Sequence, residues 1–259
     1  MENKKKTYLA ILTIVTVAAI IFGSVYHILG AIYHFKEHFH IGAGGSSEEV
    51  NISNDYENVT DIDIDCAMSK VIIQSGDKFN VTFKGRESLS PEVKLSGGEL
   101  KIKQKDNKDI KLNDANKDNV LTVTVADDVT LDSLNLVLAM GDVKMDDIEV
   151  ADLSIDAAMG NVVADDIECS SADLEAAMGN IDMLDSSFSD LKADAAMGNI
   201  TVDTEQDLEK YDVDASASMG TIKIDGKQIT GNKEYKSKAV GDTIGKINLN
   251  CDLGNIDLK

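Results

Sequence analysis

The sequence predicts an all-β fold, a single-stack β-solenoid (β-helix) with coils of about 19 residues, preceded by one transmembrane α-helix. Three observations carry this. An uncharged apolar run stands near the N-terminus, Met-Gly pairs recur at a fixed interval, and apolar residues alternate on both sides of every pair.

Residues 1–7 are read as cytoplasmic, because Lys4, Lys5 and Lys6 precede the apolar run and only Lys36 closely follows it. Tyr8 to Ile32 contains no Asp, Glu, Lys or Arg, and 25 residues of helix at ~1.5 Å each span roughly 37 Å, enough to cross hydrocarbon. Residues 8–35 are therefore assigned to a membrane helix, with everything after it outside the cell. A cleaved signal peptide is the competing reading, but the run is long for one and the small-x-small cleavage pattern is missing. His27, His34, His38 and His40 cluster at the membrane exit. His34 and His38 have metal-compatible spacing, yet two ligands are too few, and among Tyr33, Phe35 and Phe39 they read as an interfacial belt.

Residues 36–50, with "IGAGGSSEE", form a short flexible linker to an extracellular solenoid over residues 51–259. In its first part, residues 51–130, "DIDIDCAMSKVII" carries Ile62, Ile64, Cys66, Met68, Val71 and Ile73 at the spacing of the later repeats. "KFNVTFKG", "EVKLSGGELKIKQKD" and "NVLTVTVADD" alternate like strands between Gly, Asp and Asn, a meander that begins or caps the stack.

Residues 131–259 hold the regular coils. Met140-Gly141, Met159-Gly160, Met178-Gly179 and Met197-Gly198 recur every 19 residues, Met219-Gly220 follows after 22 and Leu253-Gly254 after 34. Six, four and two residues before the Met stand apolar side chains, as in Leu153, Ile155 and Ala157, and three and five residues after it stand others, as in Val162 and Ala164. Alternation is a strand with one buried face, and the odd step across Met-Gly requires a corner there. A weaker set at plus eight and plus ten, Ile148 and Val150 or Ser186 and Phe188, brings the parity breaks to three per coil and makes the coil three-sided. "ADLEAAMGN" has good helix formers, but period 2 cut by Gly in every repeat outweighs that propensity. Met140, Gly141, Met159, Gly160, Asn161, Met178, Gly179, Asn180, Met197, Gly198 and Asn199 are thus read as a stacked structural corner, with the Asn column forming a ladder of side-chain hydrogen bonds. Asp225 to Lys246 interrupts the last coils as a lysine-containing excursion, and "GNIDLK" is expected to leave an exposed edge strand through which a second copy of the chain can pair.

Composition narrows the function. The net charge of -21 repels nucleic acid and anionic headgroups, and the chain has no Trp and few aromatics for stacking on bases. Cys66, Cys169 and Cys251 match no zinc motif and fall on inward columns, so they read as buried space-fillers. No histidine occurs in residues 41–259, which removes the usual base for a Ser or Cys nucleophile. The acidic column Asp156, Glu175 and Asp194 would stack one strand spacing apart and can recruit Ca²⁺. A solvated acidic face is the favoured reading, because the Gly-Gly-x-Gly-x-Asp pattern of Ca²⁺ solenoids is absent. The same holds for Asp146, Asp147, Asp165, Asp166, Asp185 and Asp203, grouped at another corner, where Asp also suits turns. No cofactor is implied.

The stretch "LTVTVADDVTLDSLNLVLAMGDVKMDDIEVADLSIDAAMGNVVADDIE" resembles the bacterial "putative adhesin" family, and the resemblance covers about residues 50–259. It implies a membrane-anchored or secreted β-solenoid, common in Gram-positive envelopes, with no enzyme activity and no catalytic residues, and with some relatives attached to envelope-stress systems. The function expected is accordingly a non-enzymatic envelope module binding another envelope protein or polymer. An adhesin for external surfaces or glycans is the alternative, and a glycan-processing enzyme the remote third.

Overall fold

The computed structural model describes residues 41–42, 48–104, 110–111, 118–229 and 233–259. The predicted membrane helix over residues 8–35, the cytoplasmic residues 1–7 and the four histidines lie outside these. Among the described residues no helix is long and apolar enough to cross a membrane.

Strands are numbered in chain order: β1 (Ile41–Gly42), β2 (Glu49–Asp55), β3 (Asp61–Met68), β4 (Lys70–Gly76), β5 (Asn80–Arg86), β6 (Pro91–Ser96), β7 (Glu99–Gln104), β8 (Ile110–Lys111), β9 (Val120–Ala126) and β10 (Leu131–Met140). The regular coils supply β11 (Val143–Met159), β12 (Val162–Met178), β13 (Ile181–Met197), β14 (Ile200–Thr204), β15 (Tyr211–Met219) and β16 (Ile222–Ile224). The remainder gives β17 (Lys227–Ile229), β18 (Glu234–Ser237), β19 (Gly245–Leu253) and β20 (Ile256–Leu258). Among the described residues β1 pairs only with β8, and the other strands join one continuous sheet wound into a three-sided stack.

The three sides follow from the sequence. In β11 the buried residues are Val143, Met145, Ile148, Val150, Leu153, Ile155 and Ala157, so the inward step of two becomes three at Met145–Ile148 and again at Val150–Leu153. A straight strand would throw half of these into water. The corner after Met145 is made by Asp147, which has φ 56°, and its equivalents Asp166 and Asp185 have φ 53° and 45°. Asp tolerates this left-handed geometry better than most residues, which is why the Asp pairs recur there. The corner at Met-Gly has a harsher requirement. A Cβ on Gly160 would lie 1.7 Å from the carbonyl oxygen of Gly141 on the rung above, and φ is +144°. Glycine is needed as much for that close approach as for the backbone angle.

Each side has a definite order of rungs. On the first side the order is β6, β7, β3, β10, β11, β12, β13, β19, β15, β18, all parallel except the two ends, where β6 on β7 and β18 on β15 are antiparallel. On the second side it is β2, β5, β9, β4, β11, β12, β13, β14, β20, β16, β17, again with antiparallel pairs at both ends. The third side is short and pairs Leu131, Val150, Cys169 and Phe188 in register. The inward columns are buried and predominantly apolar, and the buried polar Ser186 is satisfied by donating to Leu184 O and accepting from Ile167 N.

Two features depart from the expectation. The rung formed by β19 and β20 does not follow β15 and β16 in space; it is inserted between them and the preceding coil, so Met197 pairs with Leu253 and Leu253 with Met219. The exposed edge expected at "GNIDLK" is therefore corrected: Ile256–Leu258 is hydrogen-bonded to β14 on one side and β16 on the other. The edges at that end are β17 and β18 instead, both from the excursion over Asp225–Lys246, short and carrying Lys227 and Lys236. Short lysine-bearing edges discourage further pairing.

Candidate functional site

The first side presents its odd-numbered columns to solvent, and the two farther from the Met-Gly corner are polar apart from the exposed Val137. Five residues before each corner, in stack order, stand Lys101, Asp63, Asn135, Ser154, Asp173, Lys192, Asn248 and Asp214. Three residues before it stand Lys103, Asp65, Val137, Asp156, Glu175, Asp194, Asn250 and Ser216. Parallel in-register pairing produces this, since each outward side chain lies one strand spacing, ~4.8 Å, from its equivalents above and below.

The predicted acidic column is thus one contiguous row: Asp156 pairs with Glu175 and Glu175 with Asp194. Its charge is met by a lysine that the sequence reading did not single out. Lys192 Nζ lies 3.0 Å from Asp173 Oδ1, 2.7 Å from Glu175 Oε1 and 3.0 Å from Asp194 Oδ2. Partial burial alone would lower the Lys192 pKa, but hydrogen bonds to Glu175, Asp173 and Asp194 outweigh it and hold the ammonium well above its ordinary value. An ammonium at the centre of three carboxylates occupies the place a cation would take. Among the described residues no group of three or more His, Cys, Asp or Glu is arranged to hold a metal ion. The second acidic group is divided in the same way: Asp147, Asp166 and Asp185 make the corner, Asp165 pairs in register with Leu184, and Asp203 bonds Lys259 at 2.7 Å.

Below Lys192 the face is hollowed. A shallow open depression of about 410 Å³ is lined by Lys192, Asp214, Ser216, Glu234, Lys236, Asn248 and Asn250. It exists because β18 runs antiparallel beside β15 and raises a rim, with Lys236 bonded to Asp214 at 2.7 Å. Within it Asn250 Nδ2 donates to Asp194 Oδ1 at 2.7 Å. The lining mixes carboxylates, carboxamides, ammonium groups and a hydroxyl, a set of donors and acceptors that suits a polar partner.

The corner columns behave differently. Asn161 N and Nδ2 both donate to Asp142 Oδ1, Asn180 repeats this onto Asn161, Asn199 onto Asn180 and Asn255 onto Asn199, at 2.8–3.2 Å. Thr221 closes the row with N and Oγ1 on Asn255 Oδ1. This ladder is structural. The Met column beside it runs from the buried Met68 through the half-buried Met140, Met159 and Met178 to the exposed Met197, and the thiols are elsewhere: Cys66, Cys169 and Cys251 form no disulfide and are buried, and burial pushes the Cys169 thiol up to about 12 and the Cys251 thiol up to about 11.

Comparisons with known proteins agree with this architecture. A putative cell adhesion protein from Clostridium sporogenes superposes with a TM-score of 0.54 at 18% identity, covering 82% of this chain and 99% of that one. A putative adhesin from Bacteroides fragilis is similar at 15% identity over 84% of this chain and 100% of that one, with a TM-score of 0.48. No curated protein matches the chain significantly. The model of the Toastrack DUF4097 family matches residues 59–243, well over half of the 259, from the first coil to the base of the excursion. On that match, and with the all-β solenoid described above, the chain belongs to the Toastrack DUF4097 family.

Proposed function

We propose that this chain is a non-enzymatic interaction module of the cell envelope, held by a membrane helix over residues 8–35 with its N-terminus in the cytoplasm and its solenoid outside. It binds another envelope component through the polar first side. The observation that carries the reading is that flat side, on which parallel rungs place alternating carboxylates, amides and lysines around the depression at Lys192. A stack of ten rungs at ~4.8 Å is roughly 40 Å tall, short against a thick wall and well placed for a partner at the membrane. Service beside an envelope-stress system is part of the proposal and rests on family resemblance alone.

A second reading is adhesion to external surfaces or glycans. It is favoured by the neutral Asn248, Asn250 and Ser216 in the depression, groups that suit sugar hydroxyls, and by the name of the Clostridium neighbour. Photo-crosslinking in living cells from probes at Asp156, Asp173, Asp194 and Asn248 separates the two. Adducts to a membrane-bound protein are the expected result. Adducts confined to wall polymer or foreign surfaces would replace the first reading by the second.

A further inference from the structure

The corner column contains five methionines on successive rungs. Met68 pairs with Met140, Met140 with Met159, Met159 with Met178 and Met178 with Met197, every pair in register. Met68 is covered, at 5% exposure, while Met140, Met159 and Met178 are half-buried and Met197 is 38% exposed. Corner geometry alone does not demand methionine, because Leu253 fills the same position on the next rung. The core has methionines of its own, Met145 and Met183, both fully buried, while Met140 only packs against its margin. Four methionines therefore stand in a partly exposed row, each preceded by an alanine (Ala139, Ala158, Ala177, Ala196) whose methyl is too short to fold over it.

Thioether sulfur is a soft donor that prefers soft ions such as Cu(I). Metal–sulfur bonds run about 2.3 Å, so two of them end to end span about 4.6 Å, close to the ~4.8 Å between rungs. The surroundings suit the charge and the softness together. The chain carries a net charge of -21, which draws cations, and no imidazole is present in residues 41–259 to favour harder ions. The three thiols, the usual competitors, are buried.

We propose that Met140, Met159, Met178 and Met197 form a binding ladder for a soft monovalent metal ion, Cu(I) or Ag(I), held between the thioethers of neighbouring rungs. Coordination involves no change of oxidation state and releases no proton, because thioethers carry none. The ladder has its own internal control. Met219 is the most exposed methionine of the column, at 50%, yet Leu253 separates it from Met197, so the adjoining rung offers it no thioether.

The test is a titration of the full-length chain, in nanodiscs and chloride-free buffer, with Ag(I) as a redox-inert probe and ¹³C-methyl methionine as the reporter. Methyl resonances of Met140, Met159, Met178 and Met197 are expected to shift together at low equivalents, with Met145, Met183 and Met219 still. Replacing Met159 and Met178 by leucine, which the column already accommodates at Leu253, is expected to weaken that binding by about tenfold or more. Leu253→Met is expected to bring Met219 into the responding set. A Cys66→Ala, Cys169→Ala, Cys251→Ala variant should bind unchanged at the methionines. Shifts that are absent, equal at Met219 and Met159, or abolished with the cysteines would overturn the proposal, and the titration of the unaltered protein decides it even where a variant fails to fold.

Discussion

Single residues in this fold are judged by what the neighbouring rung does to them. Gly160→Ala places a methyl on the carbonyl of Gly141 and adds the cost of a left-handed angle, so a loss of about 3 kcal/mol or more is expected in urea melts. Gly97→Ala is the contrast: φ is +63° but nothing lies within 4 Å of the added methyl, and a cost of about 1 kcal/mol is expected. Asn180→Ala removes one donated and two accepted hydrogen bonds at an exposed corner, worth about 1–2 kcal/mol in total after water replaces some of them. Asn180→Asp retains the accepting oxygen, as Asp142 does at the head of the row, and should cost less than the alanine in the same melts. Lys192 makes the corresponding case for the outer face. Its replacement by Gln leaves Asp173, Glu175 and Asp194 facing one another, and the expected outcome is Ca²⁺-dependent stabilisation that the unaltered protein lacks.

At the scale of strands and corners, burial ties stability to alkaline pH. The Tyr211 hydroxyl shares its one proton between Phe188 O and Gln206 Oε1 inside the stack, and burial, with Cys169 and Asp190 adding, pushes its pKa up to about 12 from 10.0. Burial likewise raises Cys251 from 9.0 to about 11 and Cys169 from 9.0 to about 12. A group that keeps its proton longer when folded favours the folded state below its unfolded pKa, and that contribution disappears as pH climbs through the folded value. Stability from these groups is expected to be level below pH 9 and to fall between pH 9 and about 12, with Tyr211→Phe removing the upper part of the slope in a pH series of thermal melts. The same inward columns made the coils legible in the sequence, because a period of two broken by three leaves a trace at every corner. Asp147, Asp166 and Asp185 were visible as a recurring acidic group, but their left-handed backbone was not, since Asp serves turns, caps and surfaces alike. Lys192 was hidden for a different reason: Asp194 is two residues away, but Asp173 and Glu175 are 19 and 17 residues away in the chain and become neighbours only when rungs stack.

For the whole molecule, the sequence contains the rungs but not their order. Met197, Met219 and Leu253 carry corners of the same pattern, and nothing local says that the rung ending at Leu253 lies between the other two. The excursion between them was recognisable by its lysines and irregular spacing, yet its task as the antiparallel cap depends on that insertion. β19 pairs with β13 across 56 residues, where an ordinary coil closes 19, and the longer loop adds about 1 kcal/mol of closure entropy. The chain thus contains a decoy. β15 is made first, has the right columns, and can dock on β13 in the seat that β19 finally occupies; to admit β19 it must let go. Refolding is then expected to pass through a transient register in which Asp194→Cys and Ser216→Cys can be trapped as a disulfide, later yielding to one between Asp194→Cys and Asn250→Cys. An error of that kind, left uncorrected, would strand a complete rung outside the stack with both of its edges unpaired, and two such molecules could satisfy each other by exchanging rungs.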